Sequence, residues 1–207
     1  YGTSAESLFF MTEAGVHLVV HCPACGYAAE RTIARRNKPV ASAEEQLPLE
    51  KVSTPNCPTI DALAEYLGIP KEKTAKAVFL MADFENPDCL EGISVSSEQF
   101  IFAIVRGDME LSETKLANAI GASSLRQACN EDIHATGAEP GYASPIGIKE
   151  SLIVVDNLIP IAPNLVAGAN EHGFHLRNIN CGRDYQANIV TDLVLVKAGD
   201  PCPECSS

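Results

Sequence analysis

Apolar residues recur along this chain in two rhythms. From Thr59 onward, Ile60, Leu63, Ala64 and Leu67 fall at i, i+3, i+4 and i+7, the spacing of one helix face. Thr59 offers an N-cap oxygen, and Gly68 with Pro70 stops the helix. Residues 75–82 (AKAVFLMA) and 99–105 (QFIFAIV) are apolar without alternation, as central strands covered on both faces should be. Arg106-Gly107-Asp108 turns the chain. Ser112 then opens a second short helix ending at Gly121, and a third is expected over 130–136. Further strands are expected at 152–156, 165–169, 174–179 and 189–196, with Asn170-Glu171-His172-Gly173 as a hairpin-like turn. Strands interleaved with few short helices predict an α+β fold around a mixed, curved β-sheet or barrel. The sequence contains no repeat and no low-complexity tract.

Outside this region the pattern changes. Residues 1–29 read as a ribbon-like segment, an apolar run at 17–20 followed by the knuckle HCPACGY, and 197–207 end in a second knuckle. Together they are expected to form one base. Between them, residues 30–52 carry Arg31, Arg35, Arg36 and Lys38, then Glu44, Glu45, Pro48 and Glu50, the composition of a solvated linker. The domain proper is expected over 53–196.

The chain has 207 residues, 46% apolar, 20% charged and 6% aromatic, enough for a sizeable core. No apolar run reaches the roughly 18 residues that span a bilayer, so no membrane partner is expected. The opening YGTSAESLFF lacks a basic stretch before an apolar one, which predicts no secretory signal. Lys and Arg number 15 against 27 Asp and Glu, a formal net charge of −12. Autonomous nucleic-acid binders carry a basic surplus, because phosphate neutralisation supplies most of their affinity. DNA is therefore not an expected partner, and RNA would have to meet a local basic patch or be held from outside this chain.

The eight cysteines are unevenly placed. Cys22-Pro-Ala-Cys25 and Cys202-Pro-Glu-Cys205 form two CxxC pairs, while Cys57, Cys89, Cys129 and Cys181 stand alone. A secreted disulfide scaffold would be shorter and denser in cysteine, so a reducing cytoplasm is expected. Two such pairs can present four thiolates tetrahedrally to Zn²⁺. The metal would be structural, since four protein ligands leave no position for water. The competing reading is two unrelated redox pairs.

Several polar residues stand at strand ends: Thr54, Lys76, Asp156 and His175. Lys76 opens an apolar strand, where an ammonium faces either a ligand phosphate or a buried carboxylate. A lone histidine such as His175 is more often a satisfied structural group than a catalyst. Asp156, closing LIVVD, equally suits a turn cap. Gly137 and Gly141 mark a loop whose amides can approach a ligand closely. No HExxH, Walker loop, GxGxxG or GxSxG is present.

The stretches SAESLFFMTEAG, HCPACGYAAE, STPNCPTIDALAEYLGIPKEKTAKAV, AIVRGDMELSETKLANAIGA, PGYASPIGI, LIVVDN, VAGANEHGFHLRNIN, RDY and TDLVLVKAGDPCPEC follow one another in family order. Nearly end to end, the chain resembles the editing insertion of bacterial prolyl-tRNA synthetases, shared with free-standing tRNA deacylases. The resemblance implies hydrolysis of Ala wrongly esterified to proline tRNA, sparing Pro, in cis to a synthetase whose class II catalytic domain lies elsewhere. Thr54 matches the threonine of the family's TPN motif beside the pocket, and Lys76 the lysine meeting the phosphate region of the terminal adenosine. Gly141 matches the first glycine of its GxxGP loop, Asp156 the aspartate closing the following strand, and His175 the histidine of GANxxxxH. One position departs: the second glycine of GxxGP is Ser144, whose side chain is expected to narrow the pocket or alter an amide that orients water.

The implied chemistry needs no cofactor, ATP serving only the synthetase reaction. Lys76 would anchor phosphate, the Gly141 loop would offer amides, and His175 and Asp156 would shape the amino-acid end beside Thr54 and Ser144. A non-catalytic insertion stabilised by zinc, or a docking surface for the tRNA acceptor end, is the alternative. Hydrolysis of a different ester, such as Cys-tRNA, is a third reading.

Overall fold

The computed structural model describes residues 12, 14–40, 44–86, 90 and 92–207. Cys89 and most of SAESLFFMTEAG lie outside them. The strands are β1 (Val19–His21), β2 (Ala28–Glu30), β3 (Glu50–Ser53), β4 (Ala75–Asp83), β5 (Glu98–Arg106), β6 (Ser124–Gln127), β7 (Ser151–Asp156), β8 (Leu165–Gly168), β9 (Phe174–Ile179) and β10 (Ile189–Thr191). The helices are α1 (Ile60–Leu67), α2 (Glu113–Ile120) and α3 (Asn130–Ala135), with a 3₁₀ turn at Lys71–Lys73.

Five strands form a mixed sheet in the order β10-β7-β5-β4-β6, parallel across β10-β7-β5 and antiparallel at β4. A second, antiparallel sheet has the order β3-β9-β8, and β1 pairs with β2 as a separate ribbon. The expected mixed sheet is present; among the described residues no barrel closes. Both outer strands, β10 and β6, keep one unpaired edge, so the five-stranded sheet stays open.

The unalternating apolar runs are explained by packing on both faces, complete along β5 and partial along β4. One face of the large sheet packs Leu80, Ile101, Ala103, Val105 and Val154 against Leu116 and Ile120 of α2. The other packs Phe100, Phe102, Ile104 and Val155 against Leu165, Ala167 and Ile179 of the small sheet. Phe79 meets Phe102 edge-on, ring centroids 5.1 Å apart. Helix, sheet and second sheet thus form three layers.

The helix limits follow the caps. Thr59 Oγ1 accepts the Ala62 N–H at 3.2 Å, and Gly68 ends α1 at φ 64°. Ser112 Oγ accepts the Lys115 N–H at 3.3 Å, and Gly121 ends α2 at φ 68°. The strand expected over 189–196 is shorter, because Asp192 turns out of the ladder to receive Lys38 and Lys115 at 2.6 and 2.8 Å.

Residues 30–52 divide in two: 44–51 are exposed, as their composition suggests, while the Arg-rich part is tied to the rest of the chain. Arg36 pairs with Asp200 at 2.7 Å, Lys38 pairs with Asp156 at 2.6 Å, and Ala34 is fully buried. The Arg31 guanidinium donates to the Val196 carbonyl at 2.9 Å, and β3 joins the small sheet through β9. Among the described residues no helix is long and apolar enough to cross a membrane.

Candidate functional site

A cavity of about 440 Å³ opens where α1, the start of β4, the end of β8 and β9 converge. Lys76, Gly141 and His175 all line it, so the structure brings together three of the residues expected from sequence. Thr54 reaches it indirectly. Val52 lies opposite His175 in the β3–β9 register, and the Thr54 N–H donates to the Gly173 carbonyl at 2.8 Å. That pairing sets the fully buried Thr54 hydroxyl 2.6 Å from His175 Nδ1.

Two distances rank the contacts of the Thr54 hydroxyl. The contact from Thr54 Oγ1 to the Gly173 carbonyl is 3.4 Å, long for an O–H···O bond, whereas 2.6 Å is short. Nδ1 is therefore committed to the Thr54 hydroxyl, which leaves Nε2 as the ring nitrogen available to a ligand. Among the described residues no buried side-chain nitrogen or oxygen lacks a partner, so Nε2 is not sealed in and reaches the cavity His175 lines. Burial lowers the His175 pKa from 6.5 to about 4. The ring is neutral at pH 7, a hydrogen-bonding group and a poor proton acceptor.

Lys76 sits at the mouth, one residue inside β4, and pairs with Glu110 at 2.5 Å. Lys71, also in the lining, pairs with Asp61 of α1. Gly141 adopts φ +79°, and a Cβ there would come within 2.7 Å of Pro58 Cβ. The loop needs glycine on both counts.

Two expected residues are elsewhere. Asp156 is fully buried and absent from the cavity lining. Its carboxylate accepts from Lys38 Nζ at 2.6 Å and from the Leu158 and Leu193 amides at 3.0 and 2.9 Å. The structure gives it the work of a clasp holding residue 38 and the β10 exit to the end of β7. Ser144 is fully buried too, and its hydroxyl accepts from Asn170 Nδ2 at 3.2 Å. Its N–H donates to Asn170 Oδ1 at 2.8 Å. The side chain is tied to the β8–β9 turn; Ala143, not Ser144, faces the cavity.

Gly168, Tyr142 and Glu110 escape the sequence reading. A Cβ on Gly168 would lie 1.9 Å from the Tyr142 carbonyl carbon, because β8 hydrogen-bonds to the 141–144 loop, Gly168 N–H to the Ala143 carbonyl at 3.0 Å. A glycine closing an apolar strand is the signal for such a backbone approach. Tyr142 is buried beside His175, ring centroids 5.3 Å apart.

At the opposite ends of the chain, the two knuckles meet. Cys22 and Cys205 sulfurs are 3.6 Å apart, as are Cys25 and Cys202, and all four lie within 4.8 Å of one another. A tetrahedron of about 2.3 Å Zn–S bonds has edges near 3.8 Å, so this donor set fits the ion. The knuckles share a backbone: Gly26 and Ser206 amides donate to the Cys22 and Cys202 carbonyls at 2.9 and 3.0 Å.

The family model of the aminoacyl-tRNA editing domain matches residues 54–185, the span that contributes every wall of this cavity except Lys197. The chain belongs to this family. Among curated proteins, the editing domain is 42% identical over 206 residues to a proline–tRNA ligase of Salinispora tropica, covering 100% of this chain and 34% of that protein. It is 38% identical over 204 residues to one of Dehalococcoides mccartyi, covering 99% and 33%. It thus spans about a third of the length of these relatives. Among solved structures, one described as a candidate trans-editing enzyme for prolyl tRNA synthetase superposes with TM-score 0.53 at 20% identity, over 72% of this chain and 87% of that one. That likeness shows a shared fold.

Proposed function

We propose that this editing domain hydrolyses the ester of Ala-tRNA(Pro), spares Pro-tRNA(Pro), and works in cis within a cytoplasmic proline–tRNA ligase. The observation that carries the reading is the cavity itself. It has a cation at its mouth, Lys76, and a neutral imidazole fixed by Thr54 within, and small residues, Ala77, Ala143 and Gly168, line it. An aminoacyl ester is already activated, so catalysis requires a positioned water and a stabilised oxyanion rather than a protein nucleophile.

Lys76 holds the phosphate next to the terminal adenosine, exchanging Glu110 for it. The Gly141 loop approaches the ester with the Gly141 and Ala143 amides, those of Tyr142 and Ser144 being taken by the Glu139 carbonyl and Asn170, and His175 Nε2 donates to a substrate oxygen. With its pKa at about 4, His175 does not take the water's proton efficiently at neutral pH. The free hydroxyl of the terminal ribose, as the family resemblance implies, orients the water instead. Proline exceeds alanine in size, and a small second pocket sieves what binding energy alone separates weakly. In this reading residues 53–196 form the editing domain, 1–29 and 197–207 form a base that lends the cavity Lys197, and 30–52 link the two.

The four cysteines hold one structural Zn²⁺ in this reading. The ion supplies a cross-link between the chain ends and takes no part in deacylation. The reading is tested by incubating the chain with proline tRNA charged with Ala, Cys or Pro and following ester loss. Hydrolysis of the Ala ester with retention of the Pro ester is expected; equal loss or no loss of both contradicts it.

A further inference from the structure

Of the 15 lysines and arginines, ten are ion-paired: Arg36, Lys38, Lys51, Lys71, Lys73, Lys76, Arg106, Lys115, Arg126 and Arg183. The remainder are Arg31, Arg35, Lys149, Arg177 and Lys197, whose charges meet no carboxylate among the described residues. In a chain of net charge −12, unpaired cations are scarce, and their placement is informative. Arg31, Arg35 and Lys197 line one groove of about 750 Å³ along the cysteine ribbon. Lys197 lines the editing cavity as well, so the two concavities share a wall.

This placement is held by the backbone. The Lys197 N–H donates to Asp200 Oδ2 at 2.7 Å, and Asp200 is itself paired with Arg36 at 2.7 Å. The Arg35 N–H donates to the Tyr27 hydroxyl at 3.0 Å, fixing its main chain against the knuckle while its guanidinium stays exposed. Arg31 uses its Nε on the Val196 carbonyl, one residue before Lys197. Three positive side chains are therefore mounted on the ribbon, with Lys197 at the rim of the reaction cavity.

We propose that the ribbon groove is a phosphate track for RNA. Arg35 and Lys197 contact successive backbone phosphates of the tRNA acceptor strand as its charged end enters the cavity toward Lys76. The inference rests on the deacylase reading for the identity of the RNA, and it gives the ribbon a role beyond cross-linking the chain ends. Tyr27, half-buried in the same groove, adds an aromatic face of the kind that bases stack on.

The test compares two double variants that each remove two unpaired cations. Arg35→Ala with Lys197→Ala empties the track; Lys149→Ala with Arg177→Ala removes the same charge away from it. Binding of uncharged proline tRNA is measured by fluorescence anisotropy across a salt series. The track variant is expected to weaken binding about tenfold or more at low salt, and to flatten the slope of log Kd against log salt by about 1.4, roughly 0.7 per single-strand phosphate contact. The control variant should stay near wild type, and Arg35→Lys with Lys197→Arg should recover most of the binding. In deacylation of Ala-tRNA(Pro), the track variant should raise KM and leave kcat within about twofold.

Equal Kd and slope in track and control variants overturn the proposal, as does the absence of RNA binding by wild type at low salt. Wild type that binds RNA with the expected slope change but leaves the ester intact refutes the deacylase reading and sustains the track. Wild type that hydrolyses the ester with a KM indifferent to the track variant does the reverse.

Discussion

Thr54 Oγ1 and His175 Nδ1 lie 2.6 Å apart in a buried contact, the residue that follows β3 locked to the second residue of β9. The contact fixes the ring, and burial keeps it neutral, with a pKa lowered from 6.5 to about 4. The sign of the pH effect follows. The unfolded chain binds this proton near pH 6.5 and the folded one only near 4, so unfolding gains as pH falls between those values. His175 contributes its full share above 6.5 and loses at most about 1.4 kcal/mol per unit on the way down. Urea unfolding of wild type and His175→Asn at pH 7 and pH 4.5 should show a steeper loss in wild type. The rate of ester hydrolysis should show no histidine inflection near pH 6.5.

Lys76 and Glu110 form a pair that a substrate phosphate must enter in the proposed reading. Lys76→Ala is expected to lower kcat/KM for Ala-tRNA(Pro) by about a hundredfold, a loss of roughly 3 kcal/mol for a charged contact. Glu110→Gln removes the competing carboxylate and should lower KM a few-fold. A raised KM in Glu110→Gln would mean that Glu110 positions Lys76 rather than competing for it.

Asp156 distinguishes structure from chemistry. Asp156→Asn weakens a clasp in which Lys38 is only 11% exposed, and should destabilise the fold by about 2–4 kcal/mol. The variant that remains folded should hydrolyse its ester within about twofold of the wild-type rate. Chemical denaturation and single-turnover deacylation on the same sample separate the two effects.

The cysteine site calls for metal analysis of protein purified under reducing conditions. One zinc per chain is expected, with Zn–S distances of about 2.3 Å by X-ray absorption. Cys25→Ser should lose the metal and loosen the ribbon while the Thr54–His175 contact persists.

Much of this was legible from residue types alone. Both capped helices, the central apolar strands β4 and β5, and the β8–β9 turn follow from local signals, since Thr59, Ser112, Gly68 and Gly121 act within a few residues. What escaped depends on distant partners. Strand β3 reads EKVS and is polar because it is an edge strand, so only its pairing with β9 reveals it. Arg36 and Lys38 look solvated until Asp200, Asp156 and Asp192 arrive from more than a hundred residues away. Asp156 and Ser144 fall within family motifs, yet their side chains serve Lys38 and Asn170. Lys197 lies within the quoted stretch TDLVLVKAGDPCPEC but was given no role there, and its place between two concavities emerges only in three dimensions.

The central claim is selective ester hydrolysis, and the most direct measurement is a single-tube competition. Proline tRNA carrying a mixture of Ala and Pro, each with its own isotope, is exposed to the chain in excess, and both esters are followed in time. The Ala ester should disappear while the Pro ester decays at its uncatalysed rate, and Lys76→Ala should protect both. Parallel decay of the two esters, or an Ala ester as long-lived with the chain as without it, would contradict the account.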